Sequence, residues 1–239
     1  MKLTVVGCSP AWPNPGSGHS GYLVEGAGSL LLDCGPGVLA RLGDETAVDA
    51  IVLTHFHLDH CGDLVPWVWR THYLERSGRR VPRPALFIPP GGTDRLAQFG
   101  ALFGEAGMFE SAFSVAEYPH ATAFQAAGFT ITPARVPHFD AEAYALRVDS
   151  HDRSLAFSGD TAPCEGLVQL ADGVDLFICE ATLEAGRLDG HPRGHLTLEE
   201  AEAHHERAAA KRLLITHRPA DLPAPDTHEL AHDGLVLEF

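Results

Sequence analysis

The chain has 239 residues, 45% of them hydrophobic and 21% charged, which suits an ordinary soluble globular protein built as one domain over 1–239. Its formal charge is −15, from 17 Lys and Arg against 32 Asp and Glu, and such a surface repels polyanions. Five scattered cysteines argue against a disulfide framework and for a reducing cytoplasm, while the strand-like N-terminus and short apolar runs argue against secretion and membrane insertion.

In chain order, apolar runs at Leu3 to Val6, Tyr22 to Val24, Ser29 to Asp33 and Ala50 to Leu53 predict four short strands, with a helix over Pro36 to Leu42. Trp, Val and Leu at near-helical spacing follow from Asp63 to Glu75. Leu86 to Ile88 reads as a strand and Thr93 to Leu102 as a helix, joined by a turn at Pro89 to Gly92. The second half predicts strands at Phe113 to Ala116, Phe129 to Val136, Tyr144 to Val148 and Ser154 to Ser158, with a hairpin turn at Ser150 to Asp152. Further strands are expected at Leu176 to Cys179, Leu213 to Thr216 and Leu235 to Phe239, with helices between the first two. Strands in two sets with interspersed helices imply two mixed sheets packed face to face and covered outside by helices.

Chemistry concentrates at the end of the fourth strand, where Thr54-His55-Phe56-His57-Leu58-Asp59-His60 places three imidazoles and a carboxylate on one loop. A polar loop with satisfied histidines accounts for one His-x-His, but four ligand-type residues in six positions point to metal. Neutral imidazoles and a carboxylate suit zinc, or manganese and iron less selectively. Three later residues also follow predicted strands: His138, Asp160 and His217. His120 and His151 compete with His138 on spacing alone.

The order His-x-His-x-Asp-His, His, Asp, His resembles the metallo-β-lactamase superfamily over nearly the whole chain. That resemblance implies an α/β fold, a four-layer αββα sandwich with two divalent ions at one rim. It implies that His55, His57 and His138 hold one ion, that Asp59, His60 and His217 hold the other, and that Asp160 bridges them. Two ions about 3.5 to 4 Å apart would share a water, lower its pKa and supply a hydroxide nucleophile, which Asp59 would help orient. The ligands must be deprotonated to bind, so activity should fall at low pH.

Glu180 in Cys179-Glu180-Ala181-Thr182 and His195 in Gly194-His195-Leu196-Thr197 resemble the ribonuclease Z-like phosphodiesterase branch. Thr197 and Glu200 form a predicted capping box that puts His195 beside a helix N-terminus, which disfavours its charged form; Glu180 would offset this and keep a proton available for the leaving group. The plain alternative is a loop histidine near a cap and an unrelated strand-end carboxylate. Gly7-Cys8-Ser9-Pro10 and Asp33-Cys34-Gly35-Pro36-Gly37 also resemble this branch, as turns near the metal rim; His19 and Ser20 are within reach of a substrate or simply part of a turn.

The tRNA-binding arm of ribonuclease Z, an inserted Gly/Pro- and Lys-rich segment, is not evident: Met108 to His138 carries only Arg135 as a cation. With the acidic surface, this disfavours a large RNA and favours a small or cyclic nucleotide phosphodiester, as arm-less relatives with a similar Gly-Cys-Ser opening resemble cyclic-nucleotide phosphodiesterases. Arg70 to Arg83, beside Trp67, Trp69, His72 and Tyr73, is open to three readings: a cap on the cleft, a nucleotide site or a solvated helix end. The Trp67 and Trp69 helix leaves core, lid and homodimer contact open. His204 and His205 are expected on a helix surface, and His228 and His232 as exposed. Competing functions are a ribonuclease Z-type endonuclease, an ester, lactone or thioester hydrolase, and a non-catalytic metal-dependent nucleotide-binding protein.

Overall fold

The computed structural model describes residues 1–43, 47–187 and 189–239. The first sheet contains β1 (Lys2–Gly7), β2 (Gly21–Glu25), β3 (Ser29–Leu32), β4 (Ala50–Val52), β5 (Ala85–Ile88), β6 (Ser114–Glu117) and β14 (Val236–Glu238), in the order β14-β1-β2-β3-β4-β5-β6. The second contains β7 (Phe124–Ala126), β8 (Phe129–Val136), β9 (Ala143–Ser150), β10 (Arg153–Phe157), β11 (Leu176–Glu180), β12 (Leu213–Thr216) and β13 (Glu229–Leu230), in the order β13-β12-β11-β10-β9-β8-β7. Strands β3 to β6 are parallel, as are β10 to β13, and the remaining pairs are antiparallel.

Side-chain alternation explains the layers, because successive strand residues face opposite ways. Leu30, Leu32, Val52, Leu176, Ile178 and Leu214 enter the core between the sheets. Their neighbours Leu31 and Ile51 face outward under α1 (Val38–Leu42), α3 (Leu64–Arg76) and α4 (Gly92–Ala101). Phe177, Leu213 and Ile215 face α5 (Glu165–Leu170) and α6 (Leu198–Ala208) on the other side. Each of these strands therefore reads as a continuous apolar run, as a doubly covered sheet requires. The result is the four-layer αββα sandwich expected from the sequence.

Some elements differ from the expectation. β7, β13 and α5 were not anticipated, and a single turn, α2 (Leu58–Cys61), forms inside the ligand loop. The strand expected at Phe113 begins one residue later, because Phe113 N donates back to the Phe109 carbonyl at 2.9 Å in the turn that follows a 3-10 helix over Phe109–Ser111, and its ring packs against buried Trp67. Pro133 is tolerated inside β8 because β7 pairs only as far as Ile131, so the missing N–H costs no ladder bond.

Both parallel runs and β8 end at the same rim, where their carboxyl ends deliver the polar residues. His55 follows β4, Asp33 follows β3, and His138 follows β8. Asp160 follows β10, Glu180 ends β11, and His217 follows β12.

Candidate metal centre

The rim brings together all seven residues expected as ligands. His55, His57, His138 and Asp160 form one group able to hold an ion; Asp59, His60, His217 and Asp160 form a second, with ligand atoms within 4.8 Å of one another in each. Asp160 lies between them. Its Oδ1 is 3.3 Å from His60 Nε2, and its Oδ2 is 3.9 Å from His55 Nε2 and 3.8 Å from His138 Nε2. His120 and His151 lie elsewhere: His120 Nδ1 accepts from the Tyr144 hydroxyl or donates to it at 2.5 Å, and His151 turns the β9 to β10 hairpin.

The hydrogen bonds behind the histidines test whether the site suits cations. His60 Nδ1 donates to Asp33 Oδ2 at 2.6 Å, and His138 Nδ1 donates to the Gly194 carbonyl at 2.8 Å. His55 Nδ1 donates to Thr54 Oγ1 at 3.0 Å, since that hydroxyl gives its own hydrogen to Asp33. His217 Nδ1 donates to Thr182 Oγ1 at 2.9 Å, since Thr182 gives its hydrogen to Glu180 Oε2 at 2.7 Å. With these four Nδ1 atoms committed outward, the Nε2 atoms of His55, His60, His138 and His217 face the centre, and His57 meets it through Nδ1 instead. His55 Nε2 and His60 Nε2 are buried without a hydrogen-bond partner. His138 Nε2 and His57 Nδ1 stand 2.9 Å apart. Buried bare nitrogens are costly unless something fills the space between them, and a divalent cation does so.

Charge follows the same plan. Burial holds His55, His57 and His138 below the usual histidine range, aided by mutual repulsion, so they are neutral as ligation requires. Burial opposes ionisation of Asp59 and Asp160, but the surrounding imidazoles outweigh it and hold both carboxyls well below the usual range. His60 is the exception: burial disfavours its charge, yet Asp160, Asp33 and Asp59 push it well above the usual range.

The Glu180 and His195 pair forms beside this cluster. His195 Nδ1 donates to Glu180 Oε1 at 3.0 Å, and its ring stacks on His217 with centroids 5.8 Å apart. Fully buried Glu180 also accepts from Thr161 N at 2.8 Å and from Thr182 N at 3.2 Å. The expected capping box is present: Thr197 Oγ1 accepts from Glu200 N, and Glu200 Oε2 accepts from Thr197 N. Burial works against a charged His195, but Glu180 reverses the balance and the proton is retained up to about 9.

Asp33 reads from sequence as part of a turn, and His19 and Ser20 as within reach of a substrate or part of a turn; the structure gives each a place around the site. Asp33 is a hub whose carboxylate binds His60, Ser20 Oγ, Thr54 N and Thr54 Oγ1, at a left-handed φ of 59°. His19 is buried rather than a free turn residue, with Nδ1 donating to the Pro10 carbonyl at 2.8 Å, and Ser20 N donates to the Asp59 carbonyl at 3.1 Å. Gly35 lies so close to this loop that a Cβ there would stand 1.9 Å from the Asp59 carbonyl oxygen. Thr182, within the quoted motif, links Glu180 to His217.

Other expectations are corrected. His204 is buried, not on a helix surface: its Nδ1 donates to the Glu200 carbonyl and its Nε2 accepts from Cys164 N. His205 and His228 are half-buried, with ring centroids 5.3 Å apart, and only His232 is exposed. Arg70, Arg79 and Arg80 line a cleft with Trp67, Val48 and Pro84, at the end of β4 opposite the ligand loop, so this region does not cap the metal centre. Trp67 is core, whereas Trp69 and Tyr73 are exposed.

Comparisons with known proteins bear on the family and the fold. Residues 29–218 match the beta-lactamase superfamily domain. The chain is 36% identical over 229 residues to an uncharacterized protein of Mycobacterium tuberculosis, covering 92% of this chain and 81% of that one. It is 31% identical to the probable metallo-hydrolase YhfI of Bacillus subtilis, covering 100% and 92%, and the YhfI crystal structure superposes with a TM-score of 0.86 over 99% and 98% of the two chains, at 25% identity. Ribonuclease Z of Mycolicibacterium paratuberculosis is 30% identical, covering 91% of this chain and 85% of its own. The matched domain spans most of the chain and ends just past the last candidate ligand, and with these relatives it makes the protein a metallo-hydrolase-type member of the metallo-β-lactamase superfamily.

Proposed function

We propose that the protein is a phosphodiesterase acting on a small or cyclic nucleotide, with His55, His57, His138 and Asp160 holding one divalent ion and Asp59, His60, His217 and Asp160 the other. The observation that carries the reading is the His195 and Glu180 pair beside the metal cluster. Bound at this donor set, two ions, zinc by the preference for imidazole and carboxylate, supply a water of lowered pKa and positive charge against phosphoryl oxygens.

The chain's own groups do the rest. Asp59, held ionised, accepts a hydrogen bond from the attacking water and orients it. Glu180 fixes the His195 ring through Nδ1, which leaves Nε2 to meet the substrate. As the bond from phosphorus to the leaving oxygen breaks, His195 Nε2 passes its proton to that oxygen, and Glu180 stabilises the imidazolium beforehand. A carboxylic ester, lactone or thioester on the same cluster would leave His195 dispensable.

A small substrate is favoured over a large RNA by the charge of −15 and by the course of residues 114–136, which are spent on β6, β7 and β8 and the short connections between them. The similarity to a ribonuclease supports phosphorus as the centre attacked. The test is hydrolysis of bis-p-nitrophenyl phosphate and cyclic AMP by metal-loaded protein, with metal content measured on the same sample. Turnover of either is expected; no turnover on both with two metals bound removes the proposal.

A further inference from the structure

Phe139 is an aromatic side chain with no place in the core and a costly backbone. It follows His138 directly, sits at a left-handed φ of 48°, and is 36% exposed, whereas Phe109, Phe129 and Phe177 are fully buried. Its position is nevertheless fixed. Phe139 N donates to the Arg193 carbonyl at 3.1 Å, and Gly194 leaves the space its ring occupies, since a Cβ there would stand 2.4 Å from Cε2 and Cζ. The ring meets His195 edge-on at 80° with centroids 5.6 Å apart, and lies tilted against His138 at 4.9 Å.

A ring held in a strained conformation, against two glycines, Gly190 and Gly194, and two site histidines, contributes little to packing. What it does is present a flat apolar surface beside the His195 ring, the ring proposed to protonate the leaving oxygen. Any group attached through that oxygen passes beside Phe139. We infer that Phe139 is a stacking platform for a planar heteroaromatic group of the substrate, a nucleobase, and so determines specificity for nucleotides over other phosphate esters. Leu58, between His57 and Asp59 on the same rim, is also exposed. This inference rests on the phosphodiesterase reading for its substrate class, but a base stacked on a ring is a binding property and is measured without turnover.

The probes are AMP and ribose 5-phosphate, which share a phosphate and differ by the base. Titration calorimetry on metal-loaded protein should show AMP binding roughly 10-fold more tightly, the value of one stacked base. Phe139→Leu keeps an apolar side chain without a π face and should bring the two ligands to within about 2-fold of one another, whereas Phe139→Trp should retain the preference. Equal binding of both probes by the unaltered protein, no measurable AMP binding, or a preference that survives in Phe139→Leu would overturn the inference. A uniform loss of metal or turnover in Phe139→Leu with base preference intact would also do so, since it would make the ring a shield for the histidines. A base preference lost in Phe139→Leu, in a protein that hydrolyses no phosphodiester, would sink the reaction and keep the platform. Hydrolysis without base preference would do the reverse.

Discussion

The two sheets supply their shares of the site in different ways. The first delivers His55, His57, Asp59 and His60 on one loop after β4, steadied by Asp33 at the end of the adjacent strand. The second delivers His138, Asp160, Glu180 and His217 from the ends of four different strands, and His195 from the loop before α6. The first share is assembled by local chain geometry; the second exists only when β8, β10, β11 and β12 are in register. A hydrogen bond between Tyr22 and Thr216 hydroxyls, and another from Tyr144 N to the Thr54 carbonyl at 3.1 Å, join the two beneath the rim. The contrast separates the proposed tasks as well, because Glu180 and His195, the pair proposed to handle the proton, come from the half of the chain that builds the second sheet.

The largest effect should come from splitting those tasks. His195→Ala should lower kcat by about 10²- to 10⁴-fold, the usual worth of a general acid, while two metals remain bound. Loss of metal in this variant would break the separation. The same group sets a pH dependence: its folded-state pKa is raised to about 9, so the proton is present below that value and lost as pH rises through it. Bound dications oppose protonation and draw the midpoint lower. The pH profile of kcat should therefore have an alkaline limb below about 9 that disappears in His195→Ala.

Next in size is the asymmetry between supporting residues. Asp33→Asn should weaken metal affinity by about 10- to 100-fold, because Asp33 orients both His60 and the Thr54 hydroxyl behind His55. Thr182→Val should fall at the lower end of that range, since Thr182 supports His217 alone among the candidate ligands. Competition with a chromogenic chelator measures both, and equal losses would show that the first loop has no special dependence on its neighbour. The smallest effect is Thr197→Ala, which removes one half of the capping box and should cost about 1 kcal/mol in urea unfolding without changing metal content. An unchanged unfolding midpoint would show that the α6 cap is not limiting.

The same contrast explains what could be read from the sequence. Four ligand-type residues in six positions are visible without knowing where any other strand goes. His138, Asp160 and His217 are single residues after apolar runs, recognisable through their order and strand-end placement. Asp33 looks like turn chemistry until His60 is placed against it, and Thr182 gains its meaning only from the pairing of β11 with β12. His204 misleads for a related reason: its Glu- and Ala-rich surroundings look solvent-facing, and only the packing of α6 beside the start of α5 buries the ring. β13 is two residues long, and α5 is a six-residue helix containing Gly166, so neither has the length to show a period. Phe139 follows a ligand, but nothing in the local pattern says that its ring stays outside.

Gly35 has no side chain with which to bind an ion or move a proton, yet the smallest possible side chain there would collide with the backbone of Asp59. In a library of random single substitutions it should be as intolerant as Asp59 itself. Tolerance measured position by position would thus mark two kinds of site alike, those where an atom is needed and those where an atom must be missing.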